Sequence, residues 1–422
     1  MNLSDLPSPP KSIFLREMIG RGHVYQMTEF EQLDTYCASG VPTAYIGFDC
    51  TAKSLHVGSL VQIMNLRRLQ QAGGKPIVLM GGGTTKVGDP TDKEKSRPIL
   101  SEAEIASNMA SIKKNFEPFL KFGSGPTDAV MIDNAEWLDR INYIEFLRDY
   151  GKHFTINKMI AQETVARRLR NEEPYTFLEF NYMLLQSYDF LELARKYKCR
   201  IQLGGSDQWG NIVNGIDLTR RIIDTQVFGV TTPLITTASG GKMGKTAEGA
   251  VWLNPEMRSP YDYWQFWRNT EDADVGRFLR LFTDVPEAEI KTLESAQGAD
   301  INESKKRLAD EATAMLHGAG EGKKARAAAE AVFSGASSEG MPTIEVERAK
   351  FDAGYPIADA LVAAKLADSK GDARRSIQQN AVKLNGEAVT DEKLVLTVAS
   401  LEADGAARLS VGKKRHARLK AV

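Results

Sequence analysis

The side chains with the most chemistry to offer fall in four polar, glycine-bearing stretches. In the first, Asp49, Thr51 and Ser54 make a polar turn, and His56 and Gly58 follow where a segment carrying Leu60, Ile63, Met64 and Leu69 begins. Ser54 is placed to cap that helix. A strand, a tight turn and a helix N-terminus present backbone N–H groups and a positive dipole end to a phosphate. His56 adds a donor, and the missing Cβ of Gly58 lets a flat or anionic ligand lie against the backbone. The second stretch, Gly81–Pro90, is neither a dinucleotide fingerprint nor a P-loop, but it delivers Asp89 on a constrained turn. Lys93, Lys95 and Arg97 follow and could reach phosphates or form a solvated, charged turn. In the third, Gln202–Asn211, two glycines precede Ser206 as a helix cap and Asp207 in the first turn, an arrangement that suits a ribose. The fourth, Ser239–Thr246, imitates a P-loop but has Ser239 where glycine is required. Its Lys242, Lys245 and Thr246 could close over a polyphosphate, or sit on an exposed hairpin with solvated lysines.

A fifth group lies on a helix expected over Thr176–Tyr197. Tyr182, Gln186 and Asp189 are spaced four and three, so they share one face among apolar neighbours. Buried polar groups are costly unless hydrogen-bonded. The stripe is therefore either an internal network or a pocket for a ligand bearing an ammonium and a hydroxyl, with Asp189 and Gln186 as acceptors.

The elements that must position these groups alternate. Strands are expected at Ala44–Phe48, Pro76–Met80, Ala129–Ile132 and Arg200–Leu203, with helices around Leu100–Phe122, Asn142–Tyr150, Ile160–Arg170 and Thr176–Tyr197 between them. A helical preamble is expected at Ile13–Met27. Such alternation predicts an α/β fold with a parallel sheet whose ligands bind beyond the carboxyl ends of the strands. No buried strand is evident before the fourth loop. After Pro255 the pattern turns helical, at Tyr261–Arg268, Ala273–Phe282, Glu287–Ser295 and Lys305–His317. Ser334–Thr343 has linker composition. Beyond it come helices at Ile357–Ala367 and Asp372–Gln379, a strand at Ala381–Leu384 and an Asn385-Gly386 hairpin turn.

With 422 residues, 42% hydrophobic and 26% charged, the chain has the composition of a globular protein of several domains. Its net charge of −1 gives no global attraction to nucleic acid. The segment Tyr355–Val422 nevertheless holds 12 Lys/Arg against 8 Asp/Glu, which permits a polyanionic partner. Cys37, Cys50 and Cys199 lack metal or disulfide spacing, and neither an 18-residue apolar run nor a signal peptide is present, so a cytoplasmic location is expected and no membrane.

In order, His56-Val57-Gly58-Ser59, then Gly204–Asn211, then Lys242–Thr246 resemble the bacterial-type tyrosyl-tRNA synthetases, which are class I aminoacyl-tRNA synthetases. The resemblance runs from Arg21 to the C-terminus. It implies a Rossmann-type parallel-sheet catalytic domain over residues 1–247 and a small all-helical anticodon-side domain over 248–333. A linker at 334–349 and an α+β, S4-like RNA-binding domain over 350–422 would complete the chain. The implied reaction joins L-tyrosine to Mg-ATP as tyrosyl-adenylate, then passes tyrosine to the 3′ end of its cognate tRNA. The chain would act as a homodimer with no tightly bound cofactor and no metal ligands of its own. Tyr45 and Asp189 would hold the phenol, and Asp89, Tyr182 and Gln186 the α-ammonium group, with Gln202 and Gln208 nearby. Gly47 and Asp49 would lie along substrate and nucleotide, Gly58 by the nucleotide, and Gly205 and Asp207 on the ribose. Thr51, His56, Lys93, Arg97, Lys242, Lys245 and Thr246 would serve the leaving phosphates. Ser59 departs from the second histidine of the H-I-G-H pattern, and Ile46 from a cysteine found in some relatives. The tryptophan-specific sister enzymes share both ATP signatures, but Asp189 opposite Tyr45 favours a phenol over an indole. A non-catalytic RNA-binding descendant would not be expected to keep His56, Gly58, Lys242 and Lys245 together.

Overall fold

The computed structural model describes residues 5–91, 99–241, 243–246, 249–334, 341, 343–412 and 415–422. Its central sheet has strands β1 (Gln26–Met27), β2 (Thr43–Asp49), β3 (Lys75–Gly81), β4 (Val130–Asp133), β5 (Ile201–Gly205) and β6 (Phe228–Thr232) in the order β1-β6-β5-β2-β3-β4. All pairs are parallel except β1 with β6. The inner strands are runs of buried residues because helices cover both faces of a parallel sheet. Chain direction across the sheet reverses between β2 and β5, which makes their carboxyl ends the switch point where such sheets bind ligands.

Four helices frame that point: α1 (Val57–Gln71), α2 (Ala135–Leu138), α3 (Phe177–Tyr197) and α4 (Trp209–Ile223). A reciprocal capping box between Thr176 and Glu179 starts α3. The helix expected over Leu100–Phe122 is confined to Glu102–Lys113, with Ser101 and Glu104 capping it, and Phe116 and Phe119 are buried in the turns beyond.

Two edge features differ from the sequence reading. The preamble helix covers only Ile13–Gly20, and Gly22 (φ +77°) turns the chain so that Gln26–Met27 pairs with β6. Strand β6 itself, Phe-Gly-Val-Thr-Thr, ends at Thr232, ahead of the fourth loop, where the sequence shows no clear buried strand. A glycine and two threonines dilute its apolar signal, yet all five positions are buried between β5 and β1.

The chain divides into two compact units. The first runs to Arg258 and includes Thr270–Leu316. Within it, Arg67 and Arg68 on α1 bond to Asp284, and Arg68 also bonds to the Thr283 carbonyl, fastening the turn after the helix Val275–Phe282. A two-stranded hairpin, β7 (Lys245–Thr246) with β8 (Gly249–Ala250), also belongs here.

The second unit is Ser259–Asn269 with His317–Val422. Its main sheet joins β9 (Thr343–Val346), β11 (Val382–Leu384), β12 (Glu387–Ala388), β14 (Ala406–Val411) and β15 (Arg415–Ala421), and β10 (Tyr355–Pro356) pairs separately with β13 (Val395–Leu396). Helices Ile357–Ala363 and Lys370–Gln378 close over a core that includes Phe351, Leu361, Ile377, Leu396 and Leu419. Asn385 and Gly386 at positive φ make the turn between β11 and β12. Thr343–Val346 falls inside the stretch read as linker but pairs parallel with β15, since its alternating residues find an open strand edge there.

Candidate active site

Gly47 lies in mid-strand in β2 yet is exposed, and a Cβ built on it would meet nothing within 4 Å, so the sheet floor opens there onto free space. Two residues earlier Tyr45 is 1% exposed, its ring edge-on to Phe190 at 5.3 Å. Its hydroxyl has no hydrogen-bond partner among the described groups. Asp189, on α3, is 2% exposed. Trp137 Nε1 donates to Asp189 Oδ1 at 2.7 Å and Asn134 Nδ2 to Oδ2 at 2.9 Å. Burial pushes the Asp189 carboxyl up to about 7 against the pull of these two donors, with Asp49 and Asp133 adding repulsion. Burial, and then the Asp189 charge, hold the Tyr45 phenol well above its ordinary value. A buried hydroxyl without a partner and a buried carboxylate are both costly to keep in an apolar interior.

The other two stripe residues fall in different sets, Tyr182 linked through Asp49, Thr84 and Asn134 to Asp189, and Gln186 joined to Gln208. The Tyr182 hydroxyl donates to Asp49 Oδ2 at 3.3 Å, and Thr84 Oγ1 donates to Asp49 Oδ1 at 2.9 Å. Gln186 Nε2 donates to Gln208 Oε1 at 3.2 Å, and Asn211 Nδ2 donates to Gln186 Oε1 at 2.9 Å. Gln208 Nε2 reaches both Asp89 Oδ2 (3.0 Å) and Asp207 Oδ2 (3.2 Å). Gln186 and Asp89 on the expected ammonium side are thus linked through Gln208 to Asp207 on the expected ribose side. Gln202 is level with Tyr45 in the β2–β5 pairing and is buried, its Oε1 without a partner among the described groups. Tyr182, Asp207 and Asn211 also line a cleft of about 540 Å³ with Tyr175, Arg167 and Trp209.

At the start of α1 the cap is His56, whose Nδ1 accepts from the Gly58 N–H at 3.0 Å. Ser54 does not cap α1, because its hydroxyl accepts from the N–H groups of Leu253 and Asn254. Nor does Gly58 leave room for a ligand: a Cβ there would stand 2.7 Å from His56 Cε1 and 3.1 Å from the Met243 carbonyl. Gly244 has φ +84°, and its Cβ would lie 2.6 Å from the Gly58 nitrogen. The glycines let the lysine-bearing loop pack directly on the His56 helix start. Ser206 begins a 3-10 turn, Ser206–Gln208, rather than capping α4. Asp207 is exposed, and a Cβ on Gly205 would stand 2.3 Å from its Oδ1.

A sequence model for class I tRNA synthetases (W and Y) matches residues 38–334. The chain belongs to that family. A second model, for the SYY-like C-terminal domain of tyrosine--tRNA ligase, matches residues 333–418. A tyrosine--tRNA ligase of Caulobacter sp. (strain K31) is 60% identical over 406 residues, 96% of this chain and 97% of the relative. One from Bradyrhizobium diazoefficiens is 52% identical over 97% of this chain and 99% of its own length. Among solved structures, a C-terminally truncated Aspergillus nidulans mitochondrial tyrosyl-tRNA synthetase matches with TM-score 0.69 at 28% identity, covering 78% of this chain and 96% of that one.

In this synthetase, then, Tyr45, Gly47, Asp49, Asp89, Tyr182, Gln186, Asp189, Gln202, Gly205, Asp207 and Gln208 converge on the β2 and β5 carboxyl ends, and His56, Gly58 and the Met243–Gly244 turn meet beside them. Thr51 is exposed on the turn between β2 and α1. Lys93, Arg97 and Lys242 lie outside the described residues, as do the side chains of Lys245 and Thr246. Sequence reasoning missed Asn134, Trp137, Thr84 and Asn211. The only local signal for the first two is that Asn134 directly follows the carboxyl end of a strand. Among the described residues no metal-ligating cluster occurs, and no helix is long and apolar enough to cross a membrane.

Proposed function

We propose that the chain is a tyrosine–tRNA ligase that activates L-tyrosine with Mg-ATP, releases pyrophosphate and passes tyrosine to the 3′ end of its cognate tRNA. The observation that carries the choice of amino acid is the Tyr45 hydroxyl, unpartnered among the described groups and two residues before the exposed Gly47, together with the buried Asp189 carboxyl whose charge bears on it. A substrate phenol can donate to Asp189 and accept from Tyr45. Phenylalanine would leave the Tyr45 hydroxyl unmatched and the Asp189 carboxyl with only Trp137 and Asn134 as donors, and the resulting rejection, roughly 10⁴–10⁵, is a ratio established for this very enzyme class rather than worked out for this chain. Tryptophan's N–H could donate but offers no acceptor to Tyr45.

Asp89, Tyr182 and Gln186 receive the α-ammonium group, with Gln202 and Gln208 supporting them. Gly205 and Asp207 bind the ribose, and Gly47 and Asp49 flank the forming adenylate. The substrate carboxylate is already ionised at pH 7, so no protein nucleophile is needed for its attack on the α-phosphate. Thr51, His56, Lys93, Arg97, Lys242, Lys245 and Thr246 stabilise the charge on the departing pyrophosphate, and Mg²⁺ arrives with ATP. Residues 1–247 form the catalytic domain, 248–333 the anticodon-side helices, and the RNA-binding module expected over 350–422 also takes in β9 (Thr343–Val346), which shortens the connection expected over 334–349. The basic balance after Tyr355 supports tRNA contact there. The active form is a cytoplasmic homodimer, as the family resemblance implies.

The test is charging of total tRNA with labelled tyrosine, phenylalanine or tryptophan. Tyrosine alone should be incorporated at substrate-limited concentrations. Equal incorporation of tryptophan would overturn the assignment.

A further inference from the structure

Deep in the first unit a network of three side chains, each less than 5% exposed, joins segments far apart in sequence. Ser54 Oγ accepts from the N–H groups of Leu253 (3.2 Å) and Asn254 (3.0 Å) and donates to the Leu55 carbonyl (2.7 Å). Asn115 Oδ1 accepts from the Leu55 N–H at 2.9 Å, and its amide nitrogen donates to Asn254 Oδ1. Asn254 Nδ2 donates to the Lys53 carbonyl and to Ser111 Oγ, both at 2.8 Å. Both ends of the Asn115 and Asn254 amides are engaged. A satisfied buried polar network fixes one arrangement where apolar contact would tolerate slippage.

The joined segments adjoin, in sequence, the residues assigned above to the leaving phosphates. Lys53–Leu55 lies between Thr51 and His56. Ser111 and Asn115 lie in and just after the helix Glu102–Lys113, the first after Lys93 and Arg97 in sequence. Asn254 follows β8, whose partner β7 is Lys245–Thr246. The clamp continues into two backbone bonds, Leu253 N–H to the Leu55 carbonyl and Val57 N–H to the Val251 carbonyl, both 2.9 Å. Among the described residues no member of it shares a hydrogen-bond partner with Tyr45, Asp189 or Gln186.

We propose that Asn254, held by Asn115 and Ser54, is a positioning residue that sets the register of the lysine hairpin against the His56 helix start and so governs the ATP-dependent step without affecting the tyrosine slot. The proposal rests on the reading of the site as a tyrosine-activating enzyme. It is tested by measuring tyrosine-dependent ATP–pyrophosphate exchange, the KM for ATP and the tyrosine Kd, the last by tryptophan fluorescence, in Asn254→Ala and Asn254→Asp. Displacing catalytic groups by about 1 Å can cost on the order of 10²-fold, and that is the fall in exchange kcat expected for Asn254→Ala. Asn254→Asp keeps an acceptor for Asn115 and should recover part of the rate. The tyrosine Kd should stay within about twofold, because the two networks are separate. If Asn254→Ala does not fold, Ser111→Ala, at a half-buried position, should show the same split with a loss on the order of tenfold. Loss of tyrosine affinity in proportion to rate, or wild-type exchange by a folded variant, would overturn the proposal. Absence of tyrosine-dependent exchange in the wild type would overturn the functional reading instead.

Discussion

Replacing Asp189 with asparagine isolates the buried charge on which the proposed selection of tyrosine rests. Burial raises this carboxyl from 3.8 to about 7. Between those values the folded chain keeps a proton that the unfolded chain has released. The stability contributed by that proton is full below about pH 4 and is lost as pH rises through 7. Each pH unit in that window is worth about 1.4 kcal/mol, so the wild type should lose up to about 3 kcal/mol between pH 5 and pH 8 from this group. Asparagine cannot ionise and should not show that loss. It has one acceptor where Asp189 accepts at two oxygens, so the contact with Asn134 or Trp137 weakens, but by an amount independent of pH. The assay is thermal unfolding of both proteins across pH 5–8 without ligands. Unfolding entropy of about 2 cal/mol/K per residue over 422 residues makes about 3 kcal/mol worth roughly 3 °C, so the midpoint difference should move in favour of Asp189→Asn by up to about 3 °C as pH rises. Parallel curves would refute the claim that the site stores an unfavourable buried charge.

The orphaned hydroxyl makes a complementary prediction. Tyr45→Phe should raise the ligand-free unfolding midpoint, by about 1 kcal/mol of stability, while weakening tyrosine affinity, and a less stable variant would contradict it. Gly244→Ala forces a side chain into a left-handed backbone against the Gly58 nitrogen, at a cost of at least about 1–2 kcal/mol. Exchange assays should show it slowed roughly tenfold or more, with tyrosine affinity retained. In the second unit Arg374 and Arg375 are exposed on the helix Lys370–Gln378. Arg374→Ala with Arg375→Ala should raise the KM for tRNA and flatten its salt dependence, leaving pyrophosphate exchange untouched.

What could be read from the sequence was set by local geometry. The run from Tyr45 to Gly58 announced strand, turn and helix, and the spacing of Tyr182, Gln186 and Asp189 fixed a shared face on α3. Asn385-Gly386 dictated its hairpin. What stayed hidden depended on contacts across the sheet. Asn134 and Trp137 meet Asp189 only because β4 closes the sheet on the side where α3 packs. Ser54 looked like a cap by residue type, but two N–H groups about 200 positions away claim its hydroxyl, and His56 takes the role. Tertiary placement also outweighed the weak apolar signal of Phe228–Thr232.

The central claim is that a buried hydroxyl–carboxyl pair selects a para-hydroxyl. The most direct measurement is the kcat/KM of amino-acid-dependent ATP–pyrophosphate exchange for tyrosine and phenylalanine, in the wild type and in Tyr45→Phe. A preference for tyrosine of several orders of magnitude is expected in the wild type, and it should shrink in the variant. A wild type that exchanges as readily with phenylalanine, or a variant that keeps the full preference, would contradict it.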